Sequence, residues 1–304
     1  MIKRTLEISS PQSHLSVRNR QLVVRRGEEV LGRVPCEDIG VVLVDHPTVT
    51  YTHAALSALA RSGAVVVLCG PNHLPAALLH PLPEHSEVVW RIHHQLAAGG
   101  PLRKRLWKQL VQAKIRAQAA NLPKTCPARS KLLALARTVR SGDPANVEAH
   151  AARLYWQQWL PDGQFRRDQA GNGLNAFLNY GYAVVRAAVA RAIVAAGLLP
   201  ALGLHHSNRS NSFCLADDLV EPLRPLVDRR VREMRDSGHV ELDRPAKAAL
   251  LEVLAEPVEL GGCRGPLMVN LHRMAASLVR CLRGESKTLE IPKPCLSTGT
   301  AVCG

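Results

Sequence analysis

No acidic residue occurs between Arg91 and Arg140, a stretch that carries twelve Lys or Arg. The other 254 residues hold 27 basic against 25 acidic side chains, so nearly all of the net charge of +14 sits in one contiguous region. A solvated helical face interleaves both signs. An acid-free run of this length instead suits a polyanion, and nucleic acid is the expected partner. Any CxxC pair is also missing: the eight cysteines are scattered from Cys36 to Cys303. That spacing excludes a zinc ribbon or a disulfide framework and reads as reduced, structural thiols. No apolar run reaches the roughly 20 residues that a membrane-spanning helix needs, and the 187–199 stretch is interrupted by Arg191. The opening MIKRTLEISS alternates like a strand and lacks the apolar segment of a secretory signal, so a cytoplasmic location, with no membrane partner, is expected.

What is present divides the chain in two. Up to about Pro83 the apolar period is near two, with short β-rich runs at 5–8, 14–17, 21–25, 29–34, 39–44, 65–69 and 75–79. Asn19 and Gly27 lie between runs and tolerate the positive φ of tight hairpins. One helix, 52–61, interrupts the strands and ends at Ser62-Gly63. Beyond Pro83 the period turns helical, with candidate helices at 86–98, 101–120, 130–140, 144–159, 174–196, 215–235, 245–255 and 266–283. The fold class is therefore α+β: a small β domain over 1–83, a larger all-helical domain over 84–284, and a tail over 285–304 expected to be loose because it lacks helical periodicity. In the second helix Leu102, Leu106, Leu110, Trp107, Val111 and Ile115 form an apolar stripe, which leaves Arg103, Lys104, Arg105 and Lys108 facing outward as candidate DNA contacts.

Three places in the helical half collect residues able to do chemistry. Asp143-Pro144 signals a helix start and Glu148 follows one turn later, where a carboxylate also complements the helix dipole. His205-His206 follow Gly203. Asp217, Asp218 and Glu221 come next, with Asp218 and Glu221 three apart, so that on a helix both face one side; Pro222 places a helix start or a kink at that point. Dipole compensation and a histidine satisfying buried backbone would account for these residues equally well. The alternative is a metal site, since mixed imidazole and carboxylate donors suit Mg²⁺ or Mn²⁺, and such an ion removes the conflict between acids and a phosphodiester substrate. No nucleophile and base pair suggests a covalent enzyme intermediate. Tyr155, Tyr180 and Tyr182 read as core residues with a hydroxyl at the edge, and Arg153 is a candidate phosphate or carboxylate contact.

The segments NVEAHAARLYW, NAFLNYGYAVVRAAVARAIVAAGL and GLHHSNRSNSFCLADDLVEPLRPLVD, in this order, resemble the CRISPR-associated integrase Cas1, particularly the form encoded with type II systems. The resemblance runs from the β domain to about Gly284. It implies a β-sandwich N-terminal domain, a helical catalytic domain, a homodimer, and an assembly with the small CRISPR-associated protein Cas2 that inserts short duplex DNA into a CRISPR array. By the same resemblance Glu148, His206 and Glu221 would be the catalytic metal ligands and Asp218 would support them, while His205 occupies a place the motif leaves open. The implied reaction is attack of a fragment 3′-hydroxyl on a phosphodiester at the repeat. A transposon-borne integrase of the same fold, and a DNA-binding scaffold subunit without catalysis, are the alternatives.

Overall fold

The structure, a computed structural model, describes residues 3–71, 75–82, 87–160, 165–168 and 171–295. The expected helix start at Ser86 and the expected boundary residue Pro83 lie outside them. Two four-stranded sheets open the chain. In the first, β1 (Arg4–Ile8), β5 (Ile39–Val44), β7 (Val65–Cys69) and β8 (Pro75–Leu79) lie in that order, the first three parallel and β8 antiparallel to β7. In the second, β2 (Ser13–Arg18), β3 (Gln21–Arg26), β4 (Glu29–Pro35) and β6 (Thr50–Tyr51) are ordered β4-β3-β2-β6. The β2–β3 hairpin turns through Asn19 and Arg20, both at positive φ, and the β3–β4 hairpin through Gly27 at φ 59°. Helix α1 (His53–Arg61) carries the parallel crossover from β5 to β7; its start is capped by Thr52, whose hydroxyl accepts from the Ala55 N–H at 3.1 Å.

Strand β5, IGVVLV, is buried at every residue, which explains why it reads as a continuous apolar run rather than an alternation. Ile39, Val42 and Val44 face a small core with Leu15, Leu22 and Leu59, whereas Val41 and Leu43 join the large core of the helical half. That half consists of α2 (Val88–Ala97), α3 (Gly100–Asn121), α4 (Pro127–Thr138), α5 (Val147–Trp156), α6 (Leu174–Ala195), α7 (Cys214–Val220), α8 (Arg224–Asp236), α9 (Arg244–Leu251) and α10 (Leu267–Leu282). Helix α6 is its axis: Phe177, Leu178, Val184, Val185, Ala188 and Ile193 are buried along it. Gly181 lets α8 approach, since a Cβ there would meet the Val227 side chain at 2.5 Å. Among the described residues no helix is long and apolar enough to cross a membrane.

Three expectations need correction. The helical half is not purely helical: β9 (Pro257–Leu260), β10 (Cys263–Pro266) and β11 (Lys293–Pro294) form a three-stranded sheet ordered β10-β9-β11. The segment after Gly284 is packed rather than loose as far as Cys295. Leu289 is buried, its N–H donates to Gln109 Oε1 at 2.9 Å, the Glu290 N–H donates to Ser277 Oγ, and β11 pairs with β9; residues 296–304 lie outside the described set. Finally, the single helix expected over 215–235 is interrupted: α7 gives way to a 3-10 turn at Glu221–Leu223 before α8 begins, because Pro222 has no N–H to donate, while Glu221 itself keeps helical dihedrals (φ −50°, ψ −48°).

Candidate active site

Helix α5 starts from Asp143, whose two carboxylate oxygens accept the N–H groups of Val147 and Glu148 at 3.0 and 2.9 Å. This cap holds Glu148 in the first turn, where it faces α3 and the 3-10 turn that carries Glu221. Between the two acids lies Lys114 of α3, whose ammonium donates to Glu148 Oε1 and to Glu221 Oε2. The other oxygen of Glu221 accepts from Arg224 Nε at 2.9 Å. Burial works against the Lys114 charge, but the two carboxylates outweigh it and raise its pKa. Burial would likewise raise Glu221, yet Lys114 and Arg224 prevail and hold it at about 2.

His206 is placed by Asp218. Asp218 is fully buried on α7 and accepts the N–H groups of Leu204, His205 and His206, at 2.5, 3.0 and 3.1 Å, as well as His206 Nδ1 at 2.6 Å. One carboxylate thus winds the loop and fixes the imidazole, leaving Nε2 as the free ring nitrogen. That bond outweighs partial burial and raises the His206 pKa. The loop tolerates only glycine at position 203, where a Cβ would lie 2.3 Å from the His206 carbonyl and 2.9 Å from Asp218 Oδ2. His205 faces elsewhere: its ring stacks on the Trp107 indole at 4.2 Å and 3°, whereas His206 meets Trp107 edge-on.

Glu148, His206 and Glu221 line one cavity of about 210 Å³, together with Trp107, Lys114 and Arg224. Its floor is a buried polar network in which Tyr182 donates to Asp228, Arg224 lies 4.6 Å above the Tyr182 ring and Arg167 lies 5.5 Å from it. Burial pushes Asp228 up to about 7. Between pH 4 and pH 7 the folded protein therefore holds a proton that the unfolded chain, with an ordinary aspartate, has released, and stability falls as pH rises through that window. Asp228→Asn is expected to flatten the fall, read as Tm against pH from 4 to 7; an unchanged slope would refute this.

The other residues singled out in the sequence lie around this cavity or away from it. Arg153 is exposed and does not line the cavity, whose α5 wall is Glu148, Ala152 and Trp156. Tyr155, seven residues after Glu148, is fully buried and hydrogen-bonded to Asn121, and Tyr180 is likewise buried. Asp217 pairs with Arg186 at 2.5 Å. Arg103, Lys104 and Arg105 are exposed and Lys108 half-exposed on α3; Arg105 and Lys108 lie off its buried face, as expected, whereas Arg103 stands on that face one turn before Trp107. Arg103 reaches a second cavity of about 470 Å³ that shares His206 and also contains Arg209 and Asn208. Lys114 was countable only as part of the basic run, yet it falls seven residues after Trp107 and four after Leu110, squarely on the buried stripe. Arg224 stands one turn after Glu221, and that spacing was legible.

As placed, no three His, Cys, Asp or Glu side chains among the described residues are close enough to share a metal ion. Two carboxylates do already share one cation, the Lys114 ammonium, and the Nδ1-anchored His206 lines the same cavity. That donor set suits a hard divalent ion. If the cavity takes a divalent ion and Asp218 governs His206, Asp218→Asn is expected to weaken Mn²⁺ binding about 10- to 100-fold, measured by titration; equal affinity in the variant and the wild type would rule the role out.

The model of the family "CRISPR associated protein Cas1" matches residues 6–251. A CRISPR-associated endonuclease Cas1 of Neisseria meningitidis serogroup C is 37% identical over 284 residues, covering 92% of each chain. Among solved structures, a casposase bound to integration product has a TM-score of 0.79 at 21% identity, over 94% of this chain and 92% of the other. A Cas6-RT-Cas1–Cas2 complex has a TM-score of 0.76 at 17% identity, over 94% of this chain and 35% of that one.

Proposed function

We propose, from the premise that this chain belongs to the CRISPR-associated Cas1 family, that it is a metal-dependent DNA integrase of CRISPR adaptation. It would join the 3′-hydroxyl ends of short duplex fragments to the repeat of a CRISPR array, acting in the cytoplasm as a homodimer together with Cas2. The observation that carries the reading is the convergence of Glu148 and Glu221 on one cation beside His206. It lies on the buried face of α3, the same helix that carries Arg103, Lys104, Arg105 and Lys108, of which Arg105 and Lys108 turn away from that face and Arg103 stands on it beside the second cavity.

In the reaction the fragment O3′ bonds to the scissile phosphorus and the target strand leaves as a new 3′-hydroxyl, so no enzyme side chain need become acylated or phosphorylated. A Mg²⁺ or Mn²⁺ ion bound by Glu148, Glu221 and His206 would supply Lewis-acid stabilisation of charge on the phosphate. The chain's own residues prepare the site. Asp218 sets the His206 ring and its tautomer, Arg224 helps Lys114 keep Glu221 ionised, and Arg167 and Arg224 add positive charge at the cavity where phosphate charge builds up. Water in place of the 3′-hydroxyl would give nuclease activity at the same site. The test is strand transfer of a labelled duplex into repeat DNA by the purified protein, with and without Cas2, in Mn²⁺ or Mg²⁺ against EDTA. Joined product that requires the divalent ion is expected, and product formation undiminished in EDTA would overturn the reading.

A further inference from the structure

We propose that Lys114 is an internal counter-ion that occupies the carboxylate pair in the metal-free protein and competes with the divalent ion for Glu148 and Glu221, so that it sets the metal concentration at which the site fills. The inference rests on the metal reading above and assigns a role to a residue that reading does not use.

The geometry is specific. Lys114 is buried, and its one ammonium donates to both acids, which come from elements far apart in sequence, α5 and the turn after α7. Glu221 has a second cation in Arg224; among the described residues Glu148 has no such second partner, and its side chain is 26% exposed against 9% for Glu221. Three cavity-lining cations, Lys114, Arg167 and Arg224, face three acids, Glu148, Glu221 and Asp228. Arg167 is engaged by Asn175 and Asn179, and Arg224 by Glu221 and the Tyr182 ring, so Lys114 is the one that bridges the two proposed ligands. A positive charge within hydrogen-bond reach of both ligands repels an entering cation and must be drawn off the carboxylates before they can ligate. A lysine suits this role because its ammonium is a point charge on a four-carbon stem that swings without disturbing the backbone. When the acids are taken, the freed ammonium remains inside the phosphate-binding cavity, where positive charge is useful.

The experiment is Mn²⁺ binding to the full chain by electron paramagnetic resonance of the free ion, with melting temperature in EDTA and in Mn²⁺ as a second readout. Lys114→Met is expected to bind Mn²⁺ at least about tenfold more tightly than wild type. It should also melt lower in EDTA, where two carboxylates face each other without their shared cation, and show a larger rise on adding Mn²⁺. Lys114→Arg, which keeps the charge, should bind as weakly as wild type. Should methionine unfold the protein, Lys114→Gln can still donate to the carboxylates without the charge and should show the same gain. Unchanged or weaker binding in both neutral variants, with wild-type binding still abolished by Glu148→Gln and Glu221→Gln together, would overturn the competition while leaving the metal site standing. Absence of Mn²⁺ binding in wild type and Lys114 variants alike would overturn both.

Discussion

Strand transfer by Glu221→Ala is expected to fall by about 10³-fold or more, with duplex binding within a few-fold of wild type. The size follows from the role: electrostatic stabilisation at a scissile phosphate is worth several kcal/mol, and each 1.36 kcal/mol is about tenfold in rate. Glu148→Ala and His206→Ala should give losses of the same order, because each removes a proposed ligand from the same cavity. His205→Ala should be far milder, since His205 packs its ring on Trp107 and leaves His206 tied to Asp218. Glu221→Ala carries one complication. It leaves Lys114 and Arg224 without their shared partner, so Glu221→Gln, which keeps the shape, separates lost chemistry from a disturbed fold. Integration that persists in all three alanine variants would remove the site from this cavity.

The second large effect concerns DNA affinity. Contact with six to ten phosphates would weaken binding by about 10³ to 10⁵ between 50 and 200 mM salt. Replacing Arg103, Lys104, Arg105 and Lys108 together should lower the slope of log affinity against log salt by about 3 to 4, at roughly 0.9 per phosphate contact. The structure narrows which of the twelve basic residues can contribute. Lys114 is buried between two acids, Arg91 donates to the Ala196 carbonyl and pairs with Glu87, and Arg129 donates to the Leu122 carbonyl. A flat salt dependence, or one indifferent to the fourfold change, would assign the outward face of α3 to solubility.

Much of this architecture was legible because its signals are local. The hairpins follow from Asn19 and Gly27, the strands from period-two runs or, for β5, from an unbroken apolar one, and α5 follows from Asp143 ahead of Glu148. The third sheet was not legible: β9 and β10 are four residues each, with Pro257, Gly265 and Pro266 among them, and β11 has two residues. Such strands form because α10 and the chain end cover them, which is a tertiary cause. The packed run after Gly284 was missed for the same reason, as Leu289 and Ile291 find their partners in elements far away in sequence. In the site, the resemblance pointed to the acids and His206, but composition hid Lys114, because a lysine in a basic run looks like every other lysine until its helical phase is compared with the apolar stripe.

Strand β5 has a final consequence. With Val42 and Val44 in one core and Val41 and Leu43 in the other, its sheet is a party wall rather than the outer face of a free-standing module. Lys247 of α9 reinforces the wall by pairing with Asp45 at the end of that strand, both buried. A cut near residue 83 would bare a row of valines and leucines on one product and strip α6 of its backing on the other. The two halves are therefore not exchangeable building blocks: grafting a β domain from a relative onto this helical half would require matching the buried face of β5 and β7 to α6.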